Sequence, residues 1–165
     1  MSTVLEIERK FLVEFPDLKL INVKRKISIV QTYLNSDNSQ IQRRIRKINI
    51  NGSVNYTYTE KTFLTPITRK ETEYIINEDE YKQFIKQSDQ DCAPVQKVRY
   101  VFEYKHQSFE LDTYPFSDKL AILELELSEP DQKIFFPDCL NIIKDVSDDH
   151  RYSNAALANA GTFPK

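Results

Sequence analysis

Hydrophobic and polar residues alternate along most of this chain, which is the pattern of β-strands with one polar and one apolar face. Several segments are rich in β-branched residues, and turn residues separate them. Asn51-Gly52, between two of these segments, is typical of a two-residue hairpin turn. The predicted strands are residues 4–13, 25–34, 40–50, 53–63, 68–76, 95–104, 108–114 and 120–128.

Helices are predicted beside these strands. Asn77 offers an N-cap with Glu80 three residues later, so a short helix should begin there and end near Gln87. Weaker patterns predict helices at residues 137–144 and 153–160. Because short turns join consecutive strands, we expect an α+β protein that is mainly antiparallel β. About eight strands would form a closed or nearly closed β-barrel with a few flanking helices.

Composition narrows the class of protein. Hydrophobic residues make up 40% and charged residues 29% of the 165 residues, as in a folded soluble protein with a core, and residues 1–165 are predicted to form a single domain. The formal net charge of -2 does not favour nucleic-acid binding. We find no signal peptide and no apolar run near the roughly 20 residues that span a bilayer. A cytoplasmic location without a membrane partner is therefore expected.

Cysteine, histidine and glycine are too sparse for several common functional sites. Cys92 and Cys139 lie far apart and match no metal-ligand spacing, and both histidines are isolated. Gly52 and Gly161 are the only glycines, which excludes glycine-rich phosphate loops. A bound phosphate would therefore be held by side chains or by helix N-termini.

Charged residues recur at alternate positions of the predicted strands, and most of these strands carry a single sign. The first strand mixes both signs at Glu6, Glu8 and Lys10. Most of the later strands separate basic from acidic residues, and the strand with Arg69, Glu71 and Glu73 is the exception. Their same-face sets are Arg44 and Arg46; Thr57, Thr59 and Lys61; Arg69, Glu71 and Glu73; Lys97 and Arg99; Glu110 and Asp112; and Glu124 and Glu126.

Two architectures fit these charges. Either the charges face solvent around an apolar interior, or they line a wet tunnel whose apolar outer wall is covered by helices. Like charges two residues apart repel each other unless a counter-ion is present, so a polyanion bound with a divalent cation would satisfy both sets. Arginine suits bidentate contacts to phosphate, and clustered carboxylates suit Mg²⁺ or Mn²⁺. Recurrence over seven strands favours a functional site.

The ordered set of charged motifs resembles the CYTH, or triphosphate tunnel metalloenzyme, superfamily. Glu6-Ile7-Glu8-Arg9-Lys10 matches its Glu-x-Glu-x-Lys signature, and the later charged motifs occur in family order. Gln31-Thr32-Tyr33-Leu34 resembles the family's Gln-Gly-Tyr-Leu, with threonine in place of glycine. Arg151-Tyr152-Ser153-Asn154 resembles its Arg-Tyr-x-Asn stretch. The resemblance, closest to the bacterial inorganic triphosphatase branch, implies a barrel that binds triphosphate inside a tunnel.

The resemblance also implies roles for individual residues. We expect Mg²⁺ or Mn²⁺ as cofactor, a triphosphate-containing small molecule as substrate, and a monomer or homodimer. The candidate catalytic residues are Tyr33, Lys10 and Glu73, with Tyr33 activating or orienting water. The expected phosphate-binding residues are Lys10, Arg44, Arg46, Lys61, Lys97, Arg99 and Arg151. The expected metal-binding residues are Glu6, Glu8, Glu110, Asp112, Glu124 and Glu126.

The implied reaction is metal-dependent hydrolysis of a terminal phosphoanhydride, with inorganic tripolyphosphate as the first candidate substrate. The alternatives are a class IV-type adenylate cyclase, a thiamine or nucleoside triphosphatase, and a non-catalytic polyphosphate-binding module. The His-Phe pair associated with the cyclase branch is absent from this sequence. The intact acidic set argues against a binding module, because binding alone needs only the cations.

Overall fold

The computed structural model describes residues 2–165, except for the side chain of Ser2. In these residues, nine strands and two α-helices form the framework. The strands are β1 (Ser2–Glu14), β2 (Val23–Leu34), β3 (Ile41–Ile50), β4 (Ser53–Phe63), β5 (Thr68–Ile76), β6 (Val95–Tyr104), β7 (Gln107–Thr113), β8 (Leu120–Leu127) and β9 (Ile142–Asp145). The helices are α1 (Glu78–Ile85) and α2 (Asn154–Ala160), with single 3₁₀ turns at Leu18–Leu20 and His150–Tyr152.

Eight of these strands form a closed antiparallel barrel, which confirms the predicted fold class. The strands follow the order β5-β4-β3-β2-β6-β7-β8-β1, and β1 pairs back to β5 to close the ring. The ninth strand, β9, lies outside this ring and pairs with β1 at Phe11–Val13. One edge of β1 is therefore shared, because Ser2–Ile7 pairs with β5 and the later residues pair with β9.

Local sequence signals explain two of the connections. Asn51 and Gly52 have φ angles of 53° and 86°, the pair of positive values that a type I′ hairpin turn requires between β3 and β4. Asn77 and Glu80 form the predicted capping box at the start of α1. Ser153 caps α2 by accepting a hydrogen bond from the Ala156 amide.

The predicted helix at residues 137–144 is wrong. This segment is irregular as far as residue 141, with a turn in which the Leu140 amide donates to the Pro137 carbonyl at 3.1 Å, and it then enters β9. The edge of β1 beyond β5 offers unpaired backbone groups, and β9 satisfies them. Tertiary pairing therefore overrides the weak local helix pattern.

The apolar outer wall of the barrel is covered mainly by irregular chain. Phe11, Phe109 and Leu123 pack outward against Phe136 and Leu140. Only one side of the barrel is covered by a helix, where α1 packs against tyrosines of β4 and β5. The expectation that helices cover the outer wall is thus correct only for part of the surface. Each large apolar side chain buried in this wall contributes about 1.5–3 kcal/mol.

A second apolar cluster covers one end of the charged interior. Leu12 of β1 and Ile122 of β8 share the inward parity of the charged residues, and they pack with Leu157 of α2. Tyr152 and Phe163 extend this cluster from the C-terminal segment. The strands therefore enclose a polar chamber whose floor is apolar. None of the helices in residues 2–165 has both the length and the apolar character needed to cross a membrane.

Candidate active site

A cavity of about 700 Å³ lies inside the barrel and is lined mostly by charged side chains. They meet there because inward residues recur with a period of two on every strand. The charged residues that the strands contribute to the lining are Glu6, Glu8, Lys10, Arg44, Arg46, Lys61, Arg69, Glu71, Glu73, Arg99, Glu110, Glu124 and Glu126, and Tyr33 lies beside them. Asp149 lines the cavity from the C-terminal segment. This wet interior corresponds to the second of the two architectures considered from the sequence.

Three of the predicted site residues do not line the cavity. Lys97 and Asp112 have fully buried side chains, with Nζ of the lysine 2.8 Å from Oδ2 of the aspartate. Arg151 is exposed, and its Nη2 atom lies 2.6 Å from Oδ2 of Asp149. In this state all three bind protein groups. A direct phosphate contact by Lys97 or Arg151, or metal binding by Asp112, remains a prediction.

Burial and ion pairing act against each other in the Lys97–Asp112 pair. Burial lowers the pKa of Lys97 to about 7, although Asp112 opposes the shift. Burial alone would raise the pKa of Asp112, but the charges of Arg99 and Lys97 lower it below its ordinary value. The ionised form of Asp112 is therefore favoured, and its carboxylate contacts the side chains of both Lys97 and Arg99.

Arg99 is the centre of the largest ion-pair network. Its guanidinium contacts Glu110 at 2.5 Å, Asp112 at 2.7 Å and Glu124 at 3.1 Å. Glu124 also lies 3.5 Å from Nζ of Lys10. Against the effect of burial, Lys10 and Arg99 hold the pKa of Glu124 well below its usual range. These ion pairs link the inward side chains of four neighbouring strands, β6, β7, β8 and β1.

The carboxyl groups of Glu6 and Glu71 are hydrogen-bonded to each other on another side of the cavity. Burial and the hydrogen bond to Glu71 raise the pKa of Glu6. The same hydrogen bond, together with Lys61 and against the effect of burial, lowers the pKa of Glu71. Lys61 Nζ lies 3.3 Å from Glu71 and 3.9 Å from Glu6. The Glu6 carboxyl therefore favours its protonated form and the Glu71 carboxyl its ionised form, beside the ammonium group of Lys61.

The negative charges of Glu126 and Glu8 are only partly neutralised by nearby protein cations. They face each other on β8 and β1, and the contact of Glu8 with Arg69 measures 3.5 Å. Burial and the charges of Glu8 and Glu71 raise the pKa of Glu126. Within residues 2–165, no three carboxylates have the arrangement of a preformed metal cage. Mg²⁺ commonly uses only one or two carboxylates together with substrate phosphates, and these two residues fit that donor set.

Two arginines have donors without protein partners. In the described part of the chain, Nε of Arg44 and Nε of Arg69 are buried and find no hydrogen-bond acceptor. Buried polar groups without partners are rare in proteins, and here both belong to residues that line the cavity. The cavity therefore suits an anion that can accept these hydrogen bonds.

Arg69 and Glu71 were absent from the predicted site. The signal was present, since both lie on the same charged face of β5 as Glu73, a residue whose carboxylate accepts a 3.1 Å hydrogen bond from Thr59. Apolar residues at the cavity mouth were also missed. Phe63 and Leu64 are about half exposed and line one side of the mouth, and the Arg69 guanidinium lies 5.5 Å from the Phe63 ring centre. No sequence signal identified them.

Tyr33 lies in the cavity wall with its ring 6% exposed. Burial raises its pKa above the ordinary value, although neighbouring cations oppose the shift. A phenol that holds its proton this firmly is a poor general base at neutral pH. Of the two roles predicted for Tyr33, this environment disfavours the activation of water, and the orientation of water by hydrogen bonding stays a prediction.

Comparison with known proteins relates this barrel to several solved structures. The CYTH domain family matches residues 5–143. The crystal structure of the inorganic triphosphatase NE1496 is 30% identical over 94% of this chain and 95% of that chain, with a TM-score of 0.60. A search among curated proteins found no match.

More distant structures share the fold. The PH1012 protein from Pyrococcus horikoshii OT3 is 23% identical over 76% of this chain and 81% of its own, with a TM-score of 0.60. A putative adenylate cyclase from Bacillus halodurans is 20% identical over 79% of this chain and 84% of its own, with a TM-score of 0.59. These two likenesses concern the architecture alone.

Proposed function

The chain belongs to the CYTH domain family, and on this basis we propose that it is a divalent-metal-dependent triphosphate hydrolase whose main substrate is inorganic tripolyphosphate. The observation that carries the proposal is the division of charge within one cavity. Buried arginine donors without acceptors lie on one part of the wall, and carboxylates without full compensation lie on another. A polyanion with a divalent cation satisfies both sets.

The cations of the wall bind the phosphates in this proposal. Arg44 and Arg69 donate their unpartnered Nε–H groups to phosphate oxygens, and Arg46, Lys10 and Lys61 add positive charge. Donors held in fixed positions stabilise the charge that develops on a transferred phosphoryl group. Inorganic triphosphate has acceptor oxygens on all of its phosphorus atoms, which matches a cavity wall with cations on several strands.

Glu8 and Glu126 are the residues that we propose to hold the metal ion, with Glu6 next to them on β1. When bound, Mg²⁺ or Mn²⁺ polarises a phosphoryl oxygen and orients water. Glu110, Glu124 and Asp112 act in the ligand-free state by holding Arg99 in position. Glu73, which lies in the wall and is oriented by Thr59, accepts the proton of the attacking water.

Phosphate release provides the direct test. Purified protein is incubated with tripolyphosphate, ATP or thiamine triphosphate, each with Mg²⁺, Mn²⁺ or EDTA. We expect a kcat/KM for tripolyphosphate that exceeds that for ATP by an order of magnitude or more, and loss of activity in EDTA. Formation of cyclic AMP from ATP would support the cyclase alternative and refute the proposal. Tight binding of tripolyphosphate without turnover would support the binding-module alternative.

A second candidate, hydrolysis of an organic triphosphate, is favoured by the apolar side of the mouth. Phe63, Leu64 and Pro66 could contact a base or ring attached to the terminal phosphate. Phe63→Ser should lower kcat/KM for such a substrate by about fivefold or more relative to kcat/KM for tripolyphosphate, because stacking on an aromatic ring contributes about 1–3 kcal/mol. The ratio is compared because the Phe63 ring also contacts Arg69, so both activities share any effect on that residue. Leu20→Ser, at another exposed apolar residue outside the cavity lining, is the control.

A further inference from the structure

Gln31 is a buried residue of β2 to which no role has been assigned above. Its side chain is 0% exposed, and it shares the inward face of the strand with Tyr33. The Gln31 amide lies between two residues of the cavity wall. Nε2 is 2.8 Å from the hydroxyl of Tyr33, and Oε1 is 2.6 Å from Nε of Arg46 on the neighbouring strand.

The chemistry of arginine determines which way this amide points. A guanidinium can only donate hydrogen bonds, so the atom that faces Arg46 must be the amide oxygen. The NH₂ group of Gln31 then faces Tyr33 and donates to its hydroxyl oxygen. The direction of both hydrogen bonds follows from this, without any assumption about the positions of hydrogens.

The phenolic proton of Tyr33 must therefore point elsewhere. Within residues 2–165, Gln31 is the only hydrogen-bond partner found for this hydroxyl. The charged groups that act most strongly on it are the cations Arg44, Arg46 and Lys10, none of which can accept a proton. Because Tyr33 lines the cavity, its proton is available to an acceptor inside the cavity, which is water when the site is empty and an oxygen of the ligand when one is bound.

We infer that Gln31 is a positioning residue that makes Tyr33 a hydrogen-bond donor to an oxygen of the bound triphosphate. The same amide holds the Arg46 guanidinium in the cavity wall, so that Tyr33 and Arg46 can both donate hydrogen bonds to one anion. This inference rests on the proposed function, because it takes the ligand to be a triphosphate. It assigns the tyrosine the opposite of a general-base role.

Two substitutions separate this role from simple packing. Gln31→Met keeps the shape of the side chain and removes both hydrogen bonds. Gln31→Glu keeps an acceptor for Arg46 but obliges the Tyr33 hydroxyl to donate to the new carboxylate, which turns its proton away from the cavity. We expect each variant to lose about tenfold in kcat/KM for tripolyphosphate, the effect of one hydrogen bond to a charged group. Gln96→Glu, at an exposed glutamine on β6, is the matched control and should keep wild-type activity.

A double-mutant cycle with Tyr33→Phe provides a readout that packing would not change. If Gln31 acts through the tyrosine hydroxyl, its substitution should cost little more once that hydroxyl is absent, with a coupling of about fivefold or more. Independent, multiplied losses in the double variant would overturn the inference, as would wild-type kcat/KM in both Gln31 variants. Thermal unfolding of each variant identifies those that do not fold. The cycle with Gln31→Glu is the deciding one, because this variant keeps an acceptor for Arg46. Gln31→Met also releases Arg46, so the part of its loss that acts through Arg46 should persist in the double variant.

Failure of the proposed function and failure of the inference about Gln31 give different results. If the wild-type protein hydrolyses no triphosphate, the proposed function fails, and the same cycle is measured as equilibrium binding of tripolyphosphate. Coupled losses of affinity in Gln31→Glu and Tyr33→Phe would then still support the hydrogen-bond donor. If the wild-type protein is active but the losses are uncoupled, only the inference about Gln31 fails.

Discussion

Replacement of Arg99 by methionine tests the central ion-pair network of the barrel. Methionine keeps much of the apolar stem and removes the guanidinium that contacts Glu110, Asp112 and Glu124. Asp112 would keep Lys97 at 2.8 Å, and Glu124 would keep Lys10 at 3.5 Å. Glu110 has no other ion-pair partner within residues 2–165.

The expected cost follows from these remaining contacts. Removal of one partner from a buried ionic group typically costs about 3–5 kcal/mol. The Glu110 side chain is 26% exposed and can gain some hydration, so we expect the lower end, about 3 kcal/mol. For a chain of this size that loss lowers the Tm by about 6–12 °C.

Urea unfolding followed by far-UV circular dichroism is the appropriate assay, because the chain has no tryptophan. Arg25→Met, at an exposed arginine of β2, is the matched control and should change stability by less than about 0.5 kcal/mol. A decrease of less than about 1 kcal/mol in the free energy of unfolding for Arg99→Met at pH 7 would refute the reasoning, since removing one partner from a buried ionic network is strongly destabilising.

The pH dependence of stability gives a second check, because the pKa shifts predict the direction in which the effect of Arg99→Met changes with pH. Arg99 helps to lower the folded-state pKa values of Asp112 and Glu124 below their ordinary 3.8 and 4.5. Stability from such depressed carboxyl groups is present above the ordinary pKa and is lost as the pH falls through the folded-state value. The difference between wild type and Arg99→Met should therefore be largest at neutral pH and should shrink in acid. A difference that grows below pH 4 would contradict this assignment.

Three further predictions concern single residues. Glu126→Gln should abolish most of the triphosphatase activity while the circular dichroism spectrum persists, and unchanged turnover across a Mn²⁺ titration would remove Glu126 from the metal site. Leu157→Ala should cost about 2–5 kcal/mol in urea unfolding, because the side chain is 0% exposed in the apolar floor. Gly52→Ala should cost about 1 kcal/mol through its φ of +86°, and Gly52→Asn should cost less, since asparagine tolerates this region. Equal costs for the two would argue against the turn geometry.

Much of the fold could be predicted because its signals are local. The bounds of β4, β5 and β6 match the predicted strands, since alternation and the Asn51-Gly52 turn specify a hairpin within a short stretch of chain. β9 could not be predicted in this way. Its four residues form a strand only because the edge of β1 is available to them, and β1 is distant in sequence.

Alternation predicted that the charged residues of each strand share one face, and the family resemblance, not alternation, predicted that this face points inward. The depth of these residues in the barrel could not be predicted. Lys97 and Arg99 lie on the same face of β6. Their different positions along the barrel depend on the stagger between strands, which leaves Lys97 beneath the cavity wall and Arg99 in it. The contact of Gln31 with Arg46 has the same origin, since the pairing register of β2 and β3 sets these residues opposite each other. Sequence patterns give the face of a strand, whereas the register decides which side chains meet.

The shared edge of β1 has a consequence for the order in which the protein folds. β1 precedes the other described strands in the chain, yet its contact with β5 between Thr3 and Thr72 bridges 69 residues, and the bond from the Lys10 amide to Ser147 bridges 137. Contacts of long sequence separation form slowly. During refolding we therefore expect strand content to appear before catalytic activity, because the contact between Lys10 and Ser147 has a very long sequence separation and should form late. Until then the exposed edge of β1 is the part of the nascent barrel most prone to pairing with another chain.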